Sequence, residues 1–176
     1  MSHASQHKSL NIYVQEYSRF LENVSEEEFL ISPQEGVWSY SEVYSHIFQA
    51  NLVSLTAAEK CIYGTGEKSL KKIHWMAGII LFIGRFPPGK IKAPARIAAM
   101  VKKISKEEAR NLIQKFNAQL ELVGPKIHEA PLFQKMKHPR LGFLNAPQWF
   151  RFIEIHTLHH EKQMHRISKM LKANLG

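Results

Sequence analysis

Cysteine is almost absent from this chain, since Cys61 is the only one among 176 residues. A single cysteine excludes an internal disulfide, which suits the reducing cytoplasm. The first ten residues are polar and lack the apolar core of a secretory signal. The most apolar stretch, Trp75 to Ile83, covers nine residues, whereas about 20 are needed to cross a bilayer. We therefore predict a cytoplasmic protein without a transmembrane segment, in which the Trp75 stretch is a buried helix or part of one.

Acidic residues are scarce in one segment of a basic chain. Between Gly66 and Lys106 ten Lys and Arg residues face one acidic residue, Glu67, and this excess of nine equals the net charge of +9 of the whole chain. A solvated basic surface is the simplest interpretation. The alternatives are attraction to an anionic substrate, to nucleic acid, or to a lipid surface beside the Trp75 stretch. Nucleic acid is a poor candidate, because the chain has no zinc-finger spacing or RNA-binding aromatic motif.

The sequence has no stretch in which apolar and polar residues alternate one by one, as they do in half-buried strands. Its apolar residues follow the helical repeat instead. Apolar residues recur at intervals of three and four in four segments, which predict helices over about 8–24, 39–64, 105–123 and 145–174. Capping-box patterns mark three of the starts: Ser39 with Glu42, Ser105 with Glu108, and Asn145 with Gln148. We predict one all-α domain over residues 1–176, a four-helix bundle with residues 1–7 frayed and an extra helical or loop insertion between helices 2 and 3.

Two histidines of the last predicted helix have the spacing of a metal site. His156 and His160 are four residues apart, so they stack on one helix face and can reach a single ion. They also share a line with apolar residues that should face the core: Ile153, Met164, Ile167 and Leu171. An unpaired buried imidazole costs about 1 to 3 kcal/mol. A metal would satisfy these rings, and so would a hydrogen-bonding neighbour.

A third histidine lies on the inward face of the second predicted helix. His46 shares a line with Val43, Ile47, Ala50, Val53 or Ser54, and Ala57. Three inward histidines on two helices that can pack together favour a metal site over separate hydrogen-bonded core residues.

These residues carry a resemblance to a known family. The pattern Trp38-Ser39-x-x-Glu42, then His46, and later His156-x-x-His159-His160-x-x-Gln163 resembles the DinB superfamily of small bacterial four-helix metalloproteins. The run His138-Pro139-x-x-Gly142-x-Leu144-x-Ala146-x-x-Trp149 is similar to one branch of it. The resemblance implies His46, His156 and His160 as ligands of a divalent metal and leaves His159 outside the first coordination shell. The segment from Trp75 to Arg96 has no counterpart in the family pattern.

The predicted function follows from this ligand set and from the resemblance. Imidazole ligands suit zinc, nickel and iron alike. The resemblance implies a metal-dependent transferase acting with a low-molecular-weight thiol, or a hydrolase acting through a water that the metal activates. The alternative is a non-catalytic, metal-stabilised binding or interaction module with a basic surface segment.

Three further residues complete the sequence-based picture of the site. Gln163 and His159 are candidates for contacts around the ligands. Cys61 lies roughly 22 Å along the helix from His46 and is predicted to be a buried small hydrophobe rather than the nucleophile. A bundle of this size is compatible with a homodimer, but no sequence feature decides this.

Overall fold

The fold is described from a computed structural model, which covers residues 3–71, 73–87 and 101–175. The helices of these residues are α1 (His3–Asn23), α2 (Glu26–Leu30), α3 (Tyr40–Ile62), α4 (Trp75–Ile83), α5 (Lys106–Val123) and α6 (Ala146–Leu175). The four long helices form a bundle in which α1 and α3 each pack against both α5 and α6. The predicted four-helix bundle is confirmed.

The starts of the long helices follow the capping patterns of the sequence. The Ser39 hydroxyl accepts a hydrogen bond from the Glu42 N–H at 3.3 Å, and the Glu42 carboxylate accepts one from the Ser39 N–H at 2.8 Å. Ser105 and Glu108 form the same box at α5, and Asn145 and Gln148 form it at α6. The prediction was less accurate for α1, which begins at His3 rather than Lys8, so that residues 3–7 continue the helix.

Helix α3 is the most deeply buried of the long helices over its first half. Its residues 41 and 43–48 are all buried, because α5 and α6 cover it from two sides. Between the two alternatives that the sequence left open, Ser54 faces inward and Val53 is 60% exposed. Asn51, which lay outside the predicted stripe, is completely buried. The inward face of α3 is therefore wider than one stripe of the helix.

Three short strands correct the prediction that the chain has none. The strands β1 (Glu67–Lys68), β2 (Gln134–His138) and β3 (Gly142–Leu144) form an antiparallel sheet with β2 in the centre. Lys68 pairs with Gln134, and Met136 pairs with Leu144. The strands are too short to show alternation in the sequence. A 3-10 helix over Gly124–Glu129 begins the same connection.

Helix α4 lies in the predicted insertion and is only half buried. Its inner side contributes Ala77 and Ile80 to the core, whereas Trp75 is 68% exposed and Phe82 is 89% exposed. The expectation of a buried helix is therefore wrong for the outer side. The helix ends at Gly84, whose φ of 77° is left-handed. The part of the insertion around Pro94 lies outside the described residues. Within the described ranges, no helix combines the length and apolar character that a bilayer crossing requires.

Candidate metal centre

The three predicted ligand residues meet inside the bundle. His46 comes from α3 and points at His156 and His160, which stand one turn apart on α6. The Nε2 atom of His156 lies 3.2 Å from the Nε2 atoms of both other rings, and each side chain offers one nitrogen within 4.8 Å of the others. All three residues are buried, with 6 to 8% of their surface exposed. Among the described residues, this is the one group of His, Cys, Asp and Glu side chains that can hold a metal ion.

A chain of hydrogen bonds between α3 and α6 sets the tautomer of His156. The Thr157 hydroxyl donates to the carbonyl of Ile153 at 2.8 Å, so its oxygen must accept the hydrogen bond from Nδ2 of Asn51 at 2.9 Å. This orients the Asn51 oxygen toward Nδ1 of His156, 3.0 Å away. An amide oxygen only accepts, so Nδ1 of His156 carries the proton and Nε2 keeps a free lone pair.

Gln163 makes the corresponding contact with His160. Its Oε1 atom lies 2.7 Å from Nδ1 of His160, one turn further along α6. The oxygen accepts a hydrogen bond from the Nδ1–H group, so the lone pair of the ring is on Nε2. The sequence placed Gln163 near this face, and the structure puts it in direct contact with the ring.

The resulting pair of acceptors fits a cation. With both Nδ1 atoms protonated, the Nε2 lone pairs of His156 and His160 face each other at 3.2 Å with no proton between them. Two ligand nitrogens on one tetrahedral ion, each about 2.0 to 2.1 Å from it, are separated by about 3.3 Å. His46 adds a third nitrogen at the same distance from His156. A divalent cation would satisfy the facing lone pairs of His156 and His160, and Nε2 of His46 could bind the same ion.

Burial keeps the three rings neutral, which metal binding requires. Desolvation lowers the pKa of His46 to about 4, with a smaller contribution from the charge of His159. It lowers the pKa of His160 to about 3, and it holds the pKa of His156 well below its usual range, helped by His160 and His46. No proton therefore competes for these nitrogens at neutral pH.

Aromatic side chains enclose the histidine cluster. Phe152 stacks on His156 with ring centres 5.4 Å apart, and the Trp38 ring lies 5.2 Å from His46. His159 contacts the edge of His160 at 5.1 Å and Phe86 at 5.2 Å. His159 thus packs beside the cluster and, as the resemblance implied, is not one of the three grouped residues.

Three other residues that could act in the chemistry lie outside the cluster. Cys61 is buried near the carbonyl of Leu144, and burial raises its pKa to about 11. Glu154 pairs with Arg151. The side chain of His165 is 74% exposed.

Asn51 was not among the predicted site residues. In the sequence it is one of several polar residues of α3, five positions after His46. Which of the polar residues of α3 faces His156 depends on how α3 packs against α6.

Comparison with known proteins agrees with the fold. The model of the DinB superfamily matches residues 14–164, a range that contains all three clustered histidines. The chain belongs to the DinB superfamily. No curated protein matches this chain.

Solved structures share the fold at low sequence identity. The four-helix bundle protein TT2238 superposes with a TM-score of 0.60 at 16% identity, over 94% of this chain and 99% of its own. A mycothiol-dependent maleylpyruvate isomerase superposes with a TM-score of 0.61 at 18% identity, over 91% of this chain and 59% of its own. A mutant of that isomerase gives 0.52 at 19% identity, over 90% of this chain and 60% of its own. At these identities the likeness concerns the fold alone.

Proposed function

We propose that this protein is a divalent-metal-dependent transferase that uses a low-molecular-weight thiol as nucleophile, with His46, His156 and His160 as the metal ligands. One observation carries the proposal: the Nε2 lone pairs of His156 and His160 face each other because Asn51 and Gln163 hold the protons on the opposite nitrogens. Zinc, nickel and iron all suit three imidazole ligands. When bound, such an ion lowers the pKa of a thiol or a water that enters the site.

The chain's own residues have three tasks in this proposal. The three histidines supply neutral nitrogens from two helices. Asn51 and Gln163 keep the rings in the tautomer and orientation that ligation needs, the role that partners of ligating histidines have in metalloproteins. Phe152 and Trp38 cover His156 and His46 with apolar surface, which limits the access of water.

A thiol suits this site better than water does. An ordinary thiol has a pKa of about 8.5, against 15.7 for water, so it needs a smaller shift to ionise at neutral pH. Hydrolysis also profits from a carboxylate that takes the proton of the water. Among the described residues, no carboxylate belongs to the group of side chains that the three histidines form, and Glu154 pairs with Arg151.

The thiol must come from outside the chain. Cys61 is completely buried, and its raised pKa keeps it protonated. The isomerase with the similar fold is described as mycothiol-dependent, which supports a small thiol of this kind as the partner. In the reaction, the thiolate sulfur forms a bond to an electrophilic carbon, the leaving group departs with its bonding electron pair, and the thiol proton passes to the solvent.

Metal content and thiol transfer test the proposal together. Elemental analysis of the purified protein should find about one metal ion per chain, with little in His46→Ala, His156→Ala and His160→Ala. Transfer of a small thiol to a bimane or chloronitrobenzene electrophile should depend on the metal and disappear in the same variants. His165→Ala is the matched control, because this residue lies on α6 with an exposed side chain outside the cluster. Equal metal content in all variants would reject the ligand set.

The burial of all three rings favours a second candidate, a non-catalytic module that the metal stabilises. In that case the three variants lose metal and stability, and the protein shows no metal-dependent transfer rate above background with any thiol tested. The two candidates therefore differ in turnover and not in metal binding.

A further inference from the structure

Helix α4 presents an apolar surface to the solvent. Trp75, Met76, Ile79, Phe82 and Ile83 recur at helical spacing on its outer side, and we call these five residues the α4 face. Their exposed fractions are 68%, 44%, 46%, 89% and 52%. The nine residues of α4 include no charged side chain. Contiguous exposed apolar surface of this kind marks binding to a protein or a membrane rather than ordinary surface.

Basic residues flank the α4 face at both ends. Lys68 and Lys71 precede the helix and Arg85 follows it, and all three are exposed. Lys71 lies against the Phe143 ring at 5.6 Å, which keeps its ammonium group beside the strands. The one acidic residue between Gly66 and Lys106 is Glu67. The α4 face is thus an apolar surface whose neighbouring residues along the chain form a positive margin.

This combination of apolar and basic residues favours one kind of binding partner for the α4 face over others. A second copy of the chain, packed through the same face by a two-fold axis, would bring two positive margins together. A nucleic acid would match the charge, but it would leave five large apolar side chains without an apolar partner. An anionic bilayer offers negative headgroups at the level of the cations and hydrocarbon beneath them. At about 13 Å in length, α4 is too short to span a bilayer and is suited to lie in its interface.

We propose that the α4 face docks this protein on the surface of an anionic lipid bilayer. Phe82 and Trp75 insert among the acyl chains and headgroups, and Lys68, Lys71 and Arg85 contact the lipid phosphates. This docking does not depend on the proposed function, because it involves none of the histidines of the cluster.

Vesicle flotation tests the docking with the full chain. The protein should float with phosphatidylcholine vesicles that contain phosphatidylglycerol at about one lipid in three, and not with pure phosphatidylcholine, because each basic residue near a charged surface contributes roughly fivefold to binding. Raising the salt concentration should weaken the binding steeply. Trp75 fluorescence should shift to the blue on binding, and Trp75→Phe should lose most of this shift while it still floats.

Two sets of variants separate the contribution of the apolar residues to vesicle binding from that of the basic residues. The double variant Trp75→Ser/Phe82→Ser should lose flotation, whereas Val53→Ser/Leu122→Ser, which removes two similarly exposed apolar side chains elsewhere, should not. The triple variant Lys68→Glu/Lys71→Glu/Arg85→Glu should bind at least about a hundredfold more weakly, because three fivefold contributions are lost and the new carboxylates repel the anionic surface. Its control, Lys115→Glu/Lys169→Glu/Lys172→Glu, has the same net charge and should bind more tightly than the triple variant. Circular dichroism verifies that each variant is folded.

Three results would overturn the docking. The first is no flotation of the wild-type chain with anionic vesicles. The second is equal flotation of the α4-face variants and their controls. The third is a concentration-dependent dimer that Trp75→Ser/Phe82→Ser dissociates while vesicles leave the wild-type chain unbound, which would make a second copy the occupant.

Discussion

The Nδ1 atom of His156 lies 3.0 Å from the Oδ1 atom of Asn51, although the two residues are 105 positions apart in the chain. Thr157 fixes the direction of this contact, because its hydroxyl accepts from the other end of the Asn51 amide. Asn51 thereby decides which nitrogen of His156 is free to bind a metal.

Replacing Asn51 should weaken metal binding without removing a ligand. Asn51→Leu leaves His156 without its acceptor, so we expect metal affinity to fall 10- to 100-fold, about the loss that follows when such partners are mutated. Asn51→Asp keeps an acceptor and should retain the affinity. Competition titration with a chelating dye measures both, and Ser54→Ala, another buried polar position of α3, is the control. Unchanged affinity in Asn51→Leu would show that the contact has no part in ligation.

Metal should stabilise the folded protein. A ligand that binds only the native state at 100 times its Kd adds about 2.7 kcal/mol to the free energy of unfolding. Adding the divalent metal should therefore raise the Tm of the wild-type chain and of His165→Ala, and a chelator should reverse the shift. His156→Ala should show no such rise. A rise of the same size in His156→Ala would place the stabilising metal elsewhere in the protein.

The folded protein should lose stability as the pH is lowered, because His138 is buried in its neutral form. Burial, with the nearby Arg140, lowers the pKa of His138 to about 4, and its Nδ1 accepts hydrogen bonds from the N–H groups of Arg140 and Leu141. An unfolded histidine has a pKa of about 6.5, so between pH 6.5 and 4 the unfolded chain binds the proton and the folded chain does not. This contribution is complete above pH 6.5 and is lost as the pH falls toward 4. It amounts to at most about 3 kcal/mol.

Urea unfolding at several pH values measures this effect. His138→Asn keeps an acceptor but does not titrate, so its stability should depend less on pH between 6.5 and 4 than that of the wild-type chain. His165→Asn, at an exposed position, should behave like the wild type. Identical slopes for His138→Asn and the wild type would refute the assignment.

Cys61 should be unreactive and dispensable. Its thiol is buried and its pKa is raised to about 11, so a thiol reagent should label it only when the protein unfolds. Cys61→Ala should keep the thiol-transfer rate within about twofold, since the nucleophile is external. Loss of turnover in a folded Cys61→Ala protein would instead make the chain's own thiol the nucleophile.

Two glycines of the α4 region, one inside the helix and one at its end, should respond in opposite ways to replacement by alanine. Gly84 has a left-handed φ of 77°, and an added Cβ would overlap the guanidinium of Arg151. We expect Gly84→Ala to destabilise the protein by about 1 to 3 kcal/mol. Gly78 lies within α4, and a Cβ there meets only Ile73 at an ordinary 3.5 Å. Gly78→Ala should stabilise by up to about 1 kcal/mol. Urea unfolding measures the free energy of unfolding of both variants. Equal changes in the two would contradict the left-handed backbone at Gly84, where α4 ends.

The local features of the chain were predictable from sequence because they depend on neighbours in the chain. Ser39 and Glu42 cap α3 through contacts three residues apart, and the stripe that contains His156 and His160 follows from the helical repeat. The short strands were not predictable, because two to five residues are too few to show a period. The exposure of the α4 face was not predicted for a related reason. All nine residues of α4 are uncharged, so the sequence does not indicate which side of the helix faces the solvent.

By itself, the sequence determined four long helices, their capped starts and the inward direction of three histidines, since all of these arise from the α-helical repeat and from backbone groups near each cap. The tertiary structure alone decided that the three rings meet, that Asn51 rather than another polar residue of α3 orients His156, and that α4 keeps an apolar side in water. These outcomes depend on the rotation and axial offset of α3 against α6, and of α4 against the bundle. Those quantities are set by the packing of whole helices, which no local pattern of residues encodes.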